Sequence, residues 1–114
     1  MDKLFLVKDA NQIKPVACPC GLSIRPITIR DTFIANLHIT QIKSSQKHYH
    51  KNCTEFYYII EGQGKMELGD KEIEIYPGIT IMINKGVPHR GYGDFKAIIF
   101  GVPAMEDDDE FFIK

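Results

Sequence analysis

Turn residues recur along the second half of this chain at intervals that leave room only for strands. Glu61-Gly62-Gln63-Gly64, Leu68-Gly69-Asp70, Pro77-Gly78, Asn84-Lys85-Gly86 and Gly91-Tyr92-Gly93-Asp94 separate the runs Lys65–Leu68, Glu72–Tyr76, Ile79–Ile83 and Lys96–Val102. Upstream, Ile27, Ile29, Phe33–Ile42 and Phe56–Ile60 are similarly rich in β-branched and aromatic side chains, which suit a pleated, half-buried surface. Residues 65–68 and 71–75 alternate charge with hydrophobe around Gly69-Asp70, the two-residue turn that a hairpin prefers. No stretch of about 12 residues or more carries a helical stripe. The best helical candidate is a single turn near Ala104–Asp109. The pattern predicts an all-β barrel or sandwich.

With 114 residues, of which 44% are hydrophobic and 25% charged, the chain can bury one core. A single domain over 1–114 is expected, with an irregular lead-in over 1–25 containing one short strand, a barrel core over 33–102 and an acidic segment over 103–114. The formal charge is only -1. Glu106, Asp107, Asp108, Asp109 and Glu110 form a consecutive acidic run, expected to be solvated surface. No basic stripe is interleaved with aromatics, so nucleic acid is not an expected partner. No run approaches the roughly 20 apolar residues of a membrane helix, and the start, MDKLFLVKD, is interrupted by charge too early for a secretion signal. A cytoplasmic location follows as the expectation. Cys18, Cys20 and Cys53 cannot all pair within one chain, which in that compartment favours free thiols.

The chemistry concentrates in HYHKNCTEFYYIIEG, His48 to Gly62. On an extended strand, residues two apart share a face, so the imidazoles of His48 and His50 project together and Tyr49 points away. Glu55 follows after Lys51-Asn52-Cys53-Thr54, long enough for the chain to turn and bring the carboxylate back. Tyr57 and Ile59 share the face of Glu55. His89 is a fourth donor, beyond a glycine-marked turn. His38 has no such company and is expected to be structural. Donors of this kind, converging on one side of a strand, suit a divalent metal.

These residues resemble the cupin family. Its first signature runs His-x-His, three or four residues, Glu, six residues, Gly, and His48, His50, Glu55 and Gly62 match it. The second runs Gly, five residues, Pro-x-Gly, two residues, His, three residues, Asn, and here Gly78, Gly86 and His89 fall in place. Three framework positions depart: Ile42 replaces a glycine, Asn84 the proline and Gly93 the closing asparagine. The resemblance covers roughly residues 33–102 and is nearest in texture to short, stand-alone bacterial cupins. It implies a double-stranded β-helix, or jelly roll, with the site inside the barrel mouth. It also implies metal ligation by His48, His50, Glu55 and His89, and a homodimer in which the N-terminal segment covers or exchanges strand edges.

Three neutral imidazoles and one carboxylate suit one divalent transition metal, Fe, Mn, Co, Ni or Zn, rather than Ca or Mg, which want more oxygens. An octahedral ion so held keeps two positions free, whereas tetrahedral zinc would be saturated. The expected function is a metal-dependent enzyme of dioxygenase or isomerase type acting on a small molecule, with Tyr57 as a hydrogen-bond or proton donor. The alternative is a non-enzymatic module that binds or senses a small ligand; blander still is a scaffold-like barrel with adventitious metal. A thiol dioxygenase fits less well, because cupins of that kind generally lack the glutamate ligand, and Cys53 reads as an unreactive thiol. Inward polar candidates beyond the ligands are few: Gln46, Tyr57 and Arg30. A mostly apolar cavity, and a small hydrophobic or aromatic substrate, are predicted.

Overall fold

The structure is a computed structural model that describes residues 4–113. A 3-10 turn at Ala10–Gln12 precedes nine strands: β1 (Val16–Cys18), β2 (Gly21–Ile27), β3 (Asn36–Ser44), β4 (His48–Tyr49), β5 (Thr54–Leu68), β6 (Lys71–Ile75), β7 (Thr80–Ile83), β8 (His89–Val102) and β9 (Phe111–Phe112). All pairings are antiparallel. Among the described residues no helix is long and apolar enough to cross a membrane.

Two long strands organise the molecule. β5 and β8 pair from Thr54↔Val102 to Leu68↔His89. The C-terminal half of β8 lies between β3 and the first half of β5, whose other edge carries β7. The N-terminal half of β8 lies between β4 and the second half of β5, whose other edge carries β6, and β9 flanks β4. One layer is therefore β1-β2-β3-β8-β5-β7, the other β9-β4-β8-β5-β6. The same two bent strands run through both, producing the jelly roll that the sequence predicts.

The bend has a local cause. The β5–β8 register slips between Ile59 and Glu61, and a bulge of this kind adds twist and curvature. Immediately after it, Gly62 has φ +87°, and a Cβ there would lie 2.2 Å from the Asp94 carbonyl oxygen. Two segments read from sequence as turns, Glu61–Gly64 and Gly91–Asp94, are thus bends within continuous strands. Gly64 and Gly93 are cross-strand partners, and small residues let the backbones approach there. Gly69-Asp70 does make the two-residue hairpin turn, with Leu68 paired to Lys71 and Gly69 at φ +63°.

Between the layers Ile42, Tyr57, Ile59, Met66, Ile75, Ile81, Ile83, Phe95, Ala97 and Ile99 form the core. Removing a side chain such as Ile59 or Phe95 fully from water is worth about 1.5–3 kcal/mol. The N-terminal lead-in is more regular than expected, since β1 and β2 form a hairpin on the edge of the first layer. Cys18 and Cys20, expected as free thiols, are joined in a disulfide across that hairpin's tip, leaving Cys53 free and buried. Disulfides persist in oxidising compartments, so the cysteine argument for the cytoplasm falls away.

Candidate metal centre

His48 and His89 are direct cross-strand partners in the second layer. Opposite residues of an antiparallel pair present side chains to the same face, and their ring centroids lie 4.5 Å apart. His50, one residue past β4, returns to that face, while the intervening Tyr49 stacks on Phe111. Glu55 comes from the first layer, where it pairs with Gly101 and Ile83. Curling of the sheet closes this gap. Glu55 Oε1 lies 3.2 Å from His50 Nε2 and 3.2 Å from His89 Nε2. One ligand nitrogen from each of His48, His50 and His89 lies within 4.8 Å of the others. All four side chains are buried.

The hydrogen bonds fix which nitrogens face inward. His48 Nδ1 is 2.7 Å from the Gln46 carbonyl, His50 Nδ1 is 2.6 Å from that of Asp109, and His89 Nδ1 is 2.9 Å from that of Val87. Carbonyls only accept, so each Nδ1 carries its proton and donates it. Every Nε2 is then left to point into the site, the arrangement by which outer partners orient metal-binding histidines. His50 Nε2, His89 Nε2 and Glu55 Oε1 have no hydrogen-bond partner, and neither 3.2 Å contact has hydrogen-bond geometry. An unpaired buried polar atom costs about 1–3 kcal/mol. Donor separations near 3 Å are what neighbouring ligands of an ion about 2.1 Å from each must show. The three imidazoles converge as a metal ion would require, with the Glu55 carboxylate beside two of them.

Charges at the site are strongly perturbed. Burial, helped by neighbouring His89, pushes His48 down to about 4, so its imidazole is neutral at pH 7. Burial also acts against charge on His50, but the adjacent Glu55 carboxylate outweighs it and raises that imidazole to about 9. For Glu55 burial opposes ionisation, yet His50 and His89 together hold the carboxyl well below its usual range. Burial, reinforced by Glu55, lifts the Cys53 thiol to about 12. The buried Cys53 sulfur packs beside Gly101, and its thiol stays protonated at neutral pH.

The acidic run is not simply solvated. Glu106, Asp107 and Asp108 are exposed, but Asp109 is buried and its carboxylate accepts hydrogen bonds from Lys51 N (2.8 Å) and Asn52 N (3.0 Å). These bonds clamp the loop between His50 and Glu55 while the Asp109 carbonyl orients His50. Gly86 N in turn donates to the His50 carbonyl at 2.6 Å, tying a signature glycine to a ligand. Nothing in the acidic run distinguishes Asp109 by sequence alone.

The family model for the cupin domain matches residues 38–98, more than half of the chain. The protein is a cupin. A crystal structure of a protein from Planctomyces limnophilus is 28% identical over 96% of this cupin and 97% of that chain, with a TM-score of 0.90. Pac13, a nucleoside dehydratase with Streptomyces structures, superposes with a TM-score of 0.85 at 12% identity, covering 96% of this chain and 92% of its own. Ectoine synthase from P. lautus gives 0.77 at 19% identity, covering 96% and 91%. An uncharacterised protein of Methanocaldococcus jannaschii is 42% identical over 43 residues, 38% of this chain and 34% of that protein. The match thus spans about a third of the curated relative's length.

The cavity wall corrects two sequence readings. Gln46 is exposed and contributes only its carbonyl, and the Arg30 side chain is 78% exposed. Tyr57 does face inward, 3% exposed, with its ring 6.5 Å from that of His89. The predicted apolar lining is broken by Asn36, His38 and Thr40 on the inner face of β3 and by Ser23 and Arg25 on β2. Strand alternation over 36–42 carried that signal for β3. Arg25 was hidden, because its direction depends on a bulge between Ile24 and Ile27.

Proposed function

We propose that this cupin holds one divalent transition metal through His48, His50, Glu55 and His89 and catalyses a dioxygenase- or isomerase-type reaction on a small organic molecule. The observation that carries this reading is the set of three buried donor atoms without partners, reached by imidazoles whose other nitrogens are already committed to backbone carbonyls. Three imidazoles, His50 having given up its proton, and one carboxylate suit Fe, Mn, Co, Ni or Zn. Such a metal supplies Lewis acidity or a redox centre. The chain's own part is to orient the donors, exclude water and present Tyr57. Burial raises the Tyr57 phenol well above its ordinary value, so the hydroxyl stays protonated and acts as a hydrogen-bond donor to bound substrate. Pac13 and ectoine synthase are by their names enzymes acting on small molecules, and they share this barrel.

Oxygen uptake and product formation by the Fe(II)-loaded protein, over thiols, diketones, catechols and hydroxy acids, test the enzyme reading. At least one class should turn over, and Tyr57→Phe should lower kcat by about 100-fold or more while metal content is retained. No turnover over the panel, in either assay, would contradict catalysis and leave a ligand-binding module.

A homodimer belongs to the same reading. In the first layer the outward rows Met82–Phe56–Phe100–Leu37–Ile27 and Tyr58–Ile98–Ile39–Ile24 run across five and four strands. Phe56, Tyr58, Met82 and Phe100 are 38%, 50%, 58% and 47% exposed. Strands apolar on both faces are those of a sheet covered on both sides. Five strands about 4.8 Å apart give a face roughly 24 Å wide. Ile34, beside Leu37 and Phe100, and the exposed Leu4 and Phe5, beside Ile27 and Ile34, extend the apolar surface. A stable interface takes about 800 Å² per partner, and a second copy of this chain is the occupant whose matching face would cover it.

A further inference from the structure

A small cavity on the β2–β3 side of the barrel is lined by Arg25, Thr28, Asn36 and His38, with Arg30 and Asp107 paired at its rim (3.8 Å). The bulge on β2 sets Arg25 and Pro26 together against His38, one residue on β3. Bulges re-aim side chains in this way. Arg25 Nε donates to Ser23 Oγ at 3.3 Å, and Ser23 Oγ also accepts from Thr40 Oγ1 at 3.0 Å. The guanidinium is thereby held by one edge, and among the described residues it forms no ion pair. His38 is only 7% exposed and makes no hydrogen bond among them, although it lines the cavity.

We infer that Arg25 and His38 form a subsite for the carboxylate of a small organic acid, positioned to hold one end of a substrate whose other end reaches the metal centre. This inference rests on the proposed metal-dependent function. Two observations select the ligand class. Of the charges that line the cavity, Arg30 and Asp107 offset each other and the Arg25 guanidinium is left, while burial followed by Arg25 pushes His38 down to about 4, leaving it neutral. One positive charge and a neutral donor match a carboxylate better than a dianionic phosphate, and guanidinium takes carboxylate bidentately. The cavity offers about 50 Å³, against the roughly 10–15 Å³ that one water needs, which admits a small group such as a carboxylate.

The placement then sets the length of the molecule. His38 and Tyr57 both pair with Ile99, in one inward-facing row, so they stand about two strand spacings, or roughly 10 Å, apart. Glu55 occupies the next inward position after Tyr57 on β5, and its charge reaches His38. Because side chains reach inward from both positions, a short-chain acid is the size that fits between them. Glu110 sits within electrostatic reach of both Arg25 and the donors, and burial, the largest influence on it, raises its carboxyl.

Titration calorimetry with succinate, and the ring resonances of His38 followed by NMR during the same titration, test this in metal-free and Ni(II)-loaded protein. Succinate should bind and shift His38 in both, neutral succinamide and inorganic phosphate should bind at least tenfold more weakly, and Arg25→Gln should weaken succinate at least tenfold with metal content and circular dichroism unchanged. Wild-type affinity in Arg25→Gln, unmoved His38 resonances, or equal binding of succinamide or phosphate would overturn the subsite. Because the metal-free arm needs no metal, loss of nickel binding in the wild type would count against the metal centre alone.

Discussion

His50 has two jobs that compete for one nitrogen. In the metal-free protein its Nε2 is drawn to the Glu55 carboxylate, and the imidazole stays protonated up to about 9. A metal must displace that proton, so uptake releases it at any pH below about 9. Apparent affinity should rise by about tenfold per pH unit between pH 6.5 and 8.5 and then level off. Chelator competition at several pH values measures this, and a flat profile would contradict it. Folding of the metal-free protein is linked with opposite signs at the two groups. His50 is raised above its ordinary 6.5, so its contribution is complete below that pH and lost as pH rises through about 9. Glu55 is depressed below its ordinary 4.5, so its contribution is present above that pH and lost on acidification. The juxtaposition of His48 and His50 was legible in sequence because strand parity makes them neighbours by local geometry alone. That of Arg25 and His38 was not, because their meeting depends on a bulge and on β2–β3 register, neither of which spacing encodes.

Among the elements, the C-terminal segment does the least expected work. Sequence presented five acids as one solvated run, and the fold separates Asp109 from the rest by burying it against the loop of β4. Asp109→Ala strands the amides of Lys51 and Asn52 and should cost about 2–3 kcal/mol by denaturant unfolding. By loosening the segment that orients His50 it should also weaken metal binding about tenfold. A variant with wild-type stability and affinity would show that the segment merely covers the site. Turn chemistry at Gly62–Gly64 and Gly91–Gly93 was legible, but glycine marks both a turn and a close crossing of bent strands. Only the pairing of Gly64 with Gly93 tells them apart.

For the whole molecule, the jelly roll was legible because turn spacing and a bipartite ligand motif agree on it. The outward face of the first layer was less so. Phe56, Tyr58 and Ile60 read in sequence as part of one apolar run, and which of them face out follows only once Glu55, Tyr57 and Ile59 are placed inward. Phe100, between Leu37 and Phe56 in its row, lies near the middle of that face. Placing a charge there should cost an interface several kcal/mol, since it would be desolvated without a partner. Sedimentation velocity of the wild type should give a dimer, and Phe100→Asp a folded monomer. A monomeric wild type would contradict the homodimer.

The proposed function stands on one metal ion held by His48, His50, Glu55 and His89, of which the three imidazoles converge within 4.8 Å. Elemental analysis of protein purified without added metal addresses it directly, alongside His50→Ala and His89→Ala checked for folding by circular dichroism. The expected result is about one transition-metal ion per wild-type chain, and loss of that ion from both folded variants. Full retention of metal by either folded variant would contradict the claim.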